Sequence, residues 1–93
     1  MKKLTLFYLE HCPYCRKAFR ALEALCAENA DYAGIPIERV EDSRSPEIAD
    51  RYDYYCVPTV FLGNEKLWEC SPADDYEAIY AHLRAALDRA LER

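Results

Sequence analysis

Glycine is scarce in this chain, with two in 93 residues. Hydrophobic residues make up 52% and charged residues 31%, so the composition excludes a disordered or low-complexity chain. Long apolar runs are missing too. Leu4 to Leu9 is only six residues and stops at Glu10-His11, far short of the roughly 20 needed to cross a bilayer. A secretory h-region is also longer and ends in small residues, so Met1-Lys2-Lys3 does not read as the start of a leader, and no membrane association is expected. Positive charge is in deficit, with 12 Lys and Arg against 17 Asp and Glu, a net charge of -5 and a pI near 5.0. Nucleic acid is thereby excluded as the main partner, because phosphate binding needs a concentrated basic surface. The five cysteines form no even set, which argues against a structural disulfide framework and for a reducing compartment, the cytoplasm. Repeats and linkers are absent, and the length suits one domain over residues 1–93. Such a domain buries about two-thirds of its unfolded surface.

What is present begins with a nearly continuous apolar segment, Lys3 to Leu9, which reads as a strand covered on both faces. From Pro13 to about Asn29, Cys15, Ala18, Phe19, Leu22, Leu25 and Cys26 recur at helical spacing, with Pro at the first helical position. Asp31 to Gly34 breaks that pattern. Ile35 to Val40 alternates as a strand, with Pro36 at its start. Ser45-Pro46-Glu47 signals a short helix to about Tyr52. Thr59 to Leu62 and Lys66 to Glu69 read as a hairpin around Gly63-Asn64. Ser71-Pro72-Ala73-Asp74 signals a last helix, with Asp74 at the capping-box position. Its apolar stripe runs through Ile79, Leu83 and Leu87, leaving His82 off it. The fold class is therefore α/β, in the order β-α-β-α-β-β-α: a four-stranded mixed sheet with a parallel first pair, an antiparallel hairpin and helices on both faces.

Cys12-Pro13-Tyr14-Cys15 lies between the first strand and the first helix. A Cys-x-x-Cys pair at that place suits reversible dithiol chemistry. Cys12, at the helix N-terminus, meets unpaired N–H groups and the positive end of the macrodipole, which favour a thiolate. Arg16 and Lys17 add positive charge, while Glu10 and His11 pull in different directions. Cys15 is one turn on, within reach of the sulfur of Cys12, and doubles as a core position. Cys12 is thus the expected nucleophile and Cys15 the resolving thiol. Cys26 belongs to the apolar stripe and is expected in the core. Cys56 and Cys70 read as small hydrophobes, with a regulatory thiol as the alternative.

Two motifs carry a resemblance to the glutaredoxin/thioredoxin family over nearly the whole chain as topology. Cys12-Pro13-Tyr14-Cys15 matches the dithiol glutaredoxin active site letter for letter, and Val57-Pro58-Thr59 matches the family's Val/Ile-Pro-Thr. The resemblance implies a thioredoxin-like fold and a cis Pro58 that holds the Val57 backbone toward the site. It implies Tyr14, Arg16, Val57, Pro58, Asp74 and Asp75 as substrate-binding residues, with Tyr14 exposed beside Cys12. Disulfide-containing proteins or glutathione mixed disulfides are the implied substrates, glutathione the reductant, a monomer the working form and no tightly bound cofactor. Glutathione-binding members usually carry Gly-Gly and then an acidic pair after the last strand. Here that region reads Trp68-Glu69-Cys70-Ser71-Pro72-Ala73-Asp74-Asp75, with Asp74 and Asp75 near the acidic pair and no glycines. The missing glycines keep open a thioredoxin-like protein reduced by a flavoprotein reductase. A metal or iron–sulfur module using the cysteines is the alternative of another class. Arg16 stands where zinc knuckles usually have Gly, and Cys56 and Cys70 are not a close pair, so no metal is expected.

Overall fold

The computed structural model describes residues 2–92. The first strand, β1, is Leu4–Tyr8. It lies between β2, Ile37–Glu41, and β3, Thr59–Leu62, and the sheet closes with β4, Glu65–Glu69, in the order β2-β1-β3-β4. The β1–β2 pair is parallel, Leu4 opposite Ile37 and Tyr8 opposite Glu41. β3 runs antiparallel to both β1 and β4. Side chains alternate across β1. Leu4 and Leu6 face the larger core with Leu22, Leu25, Leu83 and Leu87, whereas Phe7 faces a smaller one with Val40, Ala49 and Phe61.

Helix α1, Pro13–Glu28, and α4, Tyr76–Leu91, carry the larger core, while α3, Pro46–Ala49, covers the opposite face. Each fully buried Leu or Phe contributes about 1.5–3 kcal/mol of transfer free energy. The two-sided burial of β1 therefore fixes the strand from which the Cys12 turn departs.

Several boundaries differ from those read in the sequence, each for a local reason. The break after α1 is itself one helical turn, α2, Ala30–Ala33, because the Asn29 side chain accepts from Asp31 N–H at 2.9 Å. β2 starts at Ile37, not Ile35. The Pro36 carbonyl accepts from Leu4 N–H at 3.0 Å, but Pro36 has no N–H to pair. A 3₁₀ turn, Asp42–Arg44, follows it. α3 ends at Ala49, since the bonds from Arg51 N–H to Ile48 and from Tyr52 N–H to Ala49 span only three residues. Tyr52 is drawn instead onto Phe7 and Phe61, with ring centroids 4.8 Å from each. The last helix is capped by Asp75, which accepts from Ala78 N–H at 2.9 Å. Ser71 to Asp74 is a separate turn, with Asp74 N–H bonded to the Ser71 carbonyl. Among the described residues no helix is long and apolar enough to cross a membrane.

Candidate active site

Between β1 and α1 the chain turns through His11, whose φ is +63°. That left-handed conformation is uncommon outside glycine, though His adopts it more readily than most residues. The turn leaves Cys12 extended at the N-cap of α1. Its Sγ accepts the Cys15 N–H at 3.2 Å, the bond that a capping oxygen would otherwise accept. No acidic residue stands in the first turn of α1. Glu10, just upstream, is engaged by Arg44 at 2.6 Å. Cys12 is partly exposed, and Cys15 behind it is 1% exposed. Burial first, then the hydrogen bond to Cys12, pushes the Cys15 thiol up to about 12. The two thiols are therefore unequal: one open to solvent and receiving an N–H, the other buried and protonated at neutral pH.

Beta-sheet geometry brings a second segment to the same end. The Val57–Pro58 peptide is cis, and the Pro58 carbonyl accepts the Cys70 N–H at 3.0 Å. Cys70 is buried. Burial pushes its thiol up to about 11, and Asp74 and the neighbouring Cys12 and Cys56 act in the same direction. Cys56 is exposed and Cys26 half-buried against the larger core.

Glu41, at the end of β2, anchors the approach to Cys12. Its carboxylate accepts from Glu10 N–H at 3.0 Å, Ser43 N–H at 2.7 Å, the Ser43 hydroxyl at 2.6 Å and Arg44 N–H at 3.3 Å. The Ser43 hydroxyl and the Glu10 N–H bring its pKa from the ordinary 4.5 down to about 2. A depressed folded-state pKa stabilises the fold above the unfolded value, and that contribution disappears as pH falls through the folded one. The Glu41-dependent loss of stability should therefore fall between pH 4.5 and about 2, and Glu41→Gln should flatten the profile there. Denaturant midpoints at closely spaced pH check this; parallel profiles for the two proteins across that window would count against it.

The other residues expected at the site are placed as follows. Tyr14 is half-buried rather than exposed, because its ring packs against the larger core and its hydroxyl donates to the Pro72 carbonyl at 3.1 Å. Lys17 lies over that ring, 5.6 Å from its centroid. Arg16 is exposed. Asp74 accepts from Ser71 N–H at 3.0 Å and Trp68 Nε1 at 3.3 Å. Asp75 is taken up as the α4 cap. His82, expected to be simply solvated, stacks on Trp68 with centroids 5.4 Å apart. Among the described residues no three His, Cys, Asp or Glu side chains are grouped to hold a metal ion.

Glu69 was not anticipated from the sequence. Its Oε2 accepts from both Tyr55 N–H and Cys56 N–H at 2.8 Å, while Oε1 pairs with Lys66 at 2.7 Å. The available signal was an acid directly between Trp68 and Cys70, at the strand end nearest the site.

The glutaredoxin family model matches residues 4–67. No curated protein matches the chain significantly. Among solved structures, a mutant thioredoxin from Halobacterium salinarum superposes with a TM-score of 0.62 at 20% identity, covering 98% of this chain and 75% of that one. Thioredoxin 1 from Thermosipho africanus gives 0.60 at 14% identity, covering 97% and 99%. A designed protein gives 0.61 at 24% identity, covering 98% and 77%. These three likenesses establish a thioredoxin-like fold.

Proposed function

Since the chain belongs to the glutaredoxin family and is a thiol–disulfide oxidoreductase, we propose that it reduces disulfides through a dithiol cycle on Cys12 and Cys15. The observation that carries this reading is the pairing of a partly exposed Cys12, hydrogen-bonded by Cys15 N–H at 3.2 Å, with a buried Cys15 directly behind it. The Cys12 thiolate attacks one sulfur of a substrate disulfide and forms a mixed disulfide, expelling the other sulfur as thiolate. Cys15, once deprotonated, attacks the Cys12 sulfur. The substrate leaves as a dithiol carrying two electrons and two protons taken from the protein, and Cys12–Cys15 is left oxidised as an internal disulfide. An external reductant returns the pair to the dithiol. Val57 and Pro58 precede Thr59, which pairs with Phe7 at the end of β1 that leads to Cys12, and in this reading the Val57 backbone pairs with an extended substrate segment. Arg16, exposed on the first turn of α1, supplies positive charge to the approaching substrate. A reducing compartment, the cytoplasm, suits free thiols in this number.

Glutathione is the reductant proposed from the Cys-Pro-Tyr-Cys letters. A second reading, reduction by a flavoprotein reductase, is favoured by the engagement of Asp74 and Asp75 within the chain. One oxygen of each carboxylate already accepts bonds, Asp74 from Trp68 Nε1 and Ser71 N–H and Asp75 from Ala78 N–H, so each has only its other oxygen left for a glutathione ammonium group. Turnover of insulin and of a glutathione mixed disulfide, measured side by side with glutathione and with a flavoprotein reductase as donor, tests the proposal. Turnover with glutathione supports the first donor. Turnover only with the reductase supports the second, and turnover with neither overturns the dithiol cycle.

A further inference from the structure

The segment before Pro58 is held in an unusual way. Thr59 and Glu69 are cross-strand partners on β3 and β4, and both reach back to Cys56, Glu69 to Tyr55 as well. The Thr59 hydroxyl donates to the Cys56 carbonyl, and the Glu69 carboxylate accepts from Tyr55 and Cys56 N–H. Beyond the next residue, the Pro58 carbonyl is taken by Cys70 N–H. Among the described residues the Val57 N–H and C=O have no partner. Polar groups are thus satisfied on both sides of one residue and left open at that residue, the arrangement needed to accept an added strand.

The same clamp displays an aromatic ring. Tyr55 is 92% exposed, the only large hydrophobic side chain among the described residues to stand so far out of the fold. Its backbone is nevertheless fixed by a charged acceptor, which makes the stronger kind of hydrogen bond. Tyr and Trp on a pre-ordered backbone give contact area at low entropic cost.

We propose that Glu69 is a positioning residue that holds the Tyr55–Val57 segment for polypeptide substrates, with the Tyr55 ring contacting apolar side chains beside the substrate disulfide. This rests on the dithiol reading above and narrows its substrate class to polypeptide disulfides. Small disulfides without a peptide backbone, such as hydroxyethyl disulfide, have nothing to lay on Val57 and no flanking side chain for Tyr55, and gain nothing from the clamp. The pairing with Lys66 keeps the Glu69 carboxylate ionised, so the clamp operates across the neutral range.

The test mixes fully reduced protein with insulin or with hydroxyethyl disulfide and follows oxidation of the dithiol, which removes the electron donor from the comparison. Glu69→Ala and Tyr55→Ala should each lower the ratio of the insulin rate to the hydroxyethyl disulfide rate about tenfold, the scale of one lost charged hydrogen bond or aromatic contact. Tyr55→Phe, which keeps the ring, and Glu69→Gln, which keeps an acceptor, should stay within about threefold of the parent ratio. Amide exchange at Tyr55 and Cys56 should quicken about tenfold or more in Glu69→Ala. A merely structural Glu69 would lower both rates together and leave their ratio alone, which would overturn the proposal. An unchanged ratio in Tyr55→Ala, whose exposed site spares the fold, would do so independently. Failure of the parent protein to be oxidised by either disulfide would instead sink the dithiol reading itself.

Discussion

Cys12→Ser should lose disulfide reductase activity by about a thousandfold or more while remaining fully folded. A serine hydroxyl is essentially un-ionised at neutral pH and cannot form the mixed disulfide, so no alternative route runs through the same position. The fold control is favourable because of where Cys12 sits. It is the N-cap of α1, and its sulfur takes the Cys15 N–H. Serine is among the preferred residues at that position, so the thermal midpoint should hold or rise slightly. Insulin turnover and a melting curve on the same preparation check both halves. Turnover within tenfold of the parent would reassign the nucleophile.

Cys15→Ser should separate the two halves of the cycle. Cys12 can still attack, but nothing inside the protein then releases the substrate, so polypeptide reduction should fall about a hundredfold. A covalent Cys12–substrate adduct should accumulate and be visible as added mass under non-reducing conditions. A glutathione mixed disulfide, which an external thiol can resolve, should still turn over if glutathione is the donor. Because Cys15 is 1% exposed, burying a hydroxyl there costs about 1–3 kcal/mol; Cys15→Ala avoids that cost and should give the same adduct. Equal loss on both substrates with no trapped adduct would remove Cys15 from the resolving role. The burial that raises its thiol to about 12 fits the second step of the proposed cycle. In that cycle Cys15 stays protonated while Cys12 is free, and reacts only when a disulfide is brought against it.

Periodicity made most of this legible. The two-sided apolar run of β1, the helical stripes of α1 and α4 and the Gly63 turn, with φ at +59°, are local patterns that their own residues determine. The Cys12–Cys15 pair was legible for the same reason, since both residues lie on one helical turn. Glu69 and Glu41 were not. Their roles depend on which backbone N–H groups tertiary folding brings within 3 Å or so of a carboxylate, and partners 14 residues away for Glu69 and 31 for Glu41 leave no mark in local spacing. Tyr14 illustrates the same point from the other side. The motif letters put it beside Cys12, but only the path of the Ser71–Asp74 turn places the Pro72 carbonyl at its hydroxyl.

The sheet order also bears on how this protein behaves when crowded. β2 and β4 are its two outer strands, and an open strand margin invites a neighbouring chain to stack on it. Both margins are salted with charge: Glu38 and Arg39 on one, Glu65 and Lys66 on the other, all exposed. A second molecule aligning there would have to strip water from these ions along its whole length. Growth of strand-stacked aggregates is thereby disfavoured at the margins, while at the end of the sheet where β1 leads to Cys12 that thiol stays partly exposed.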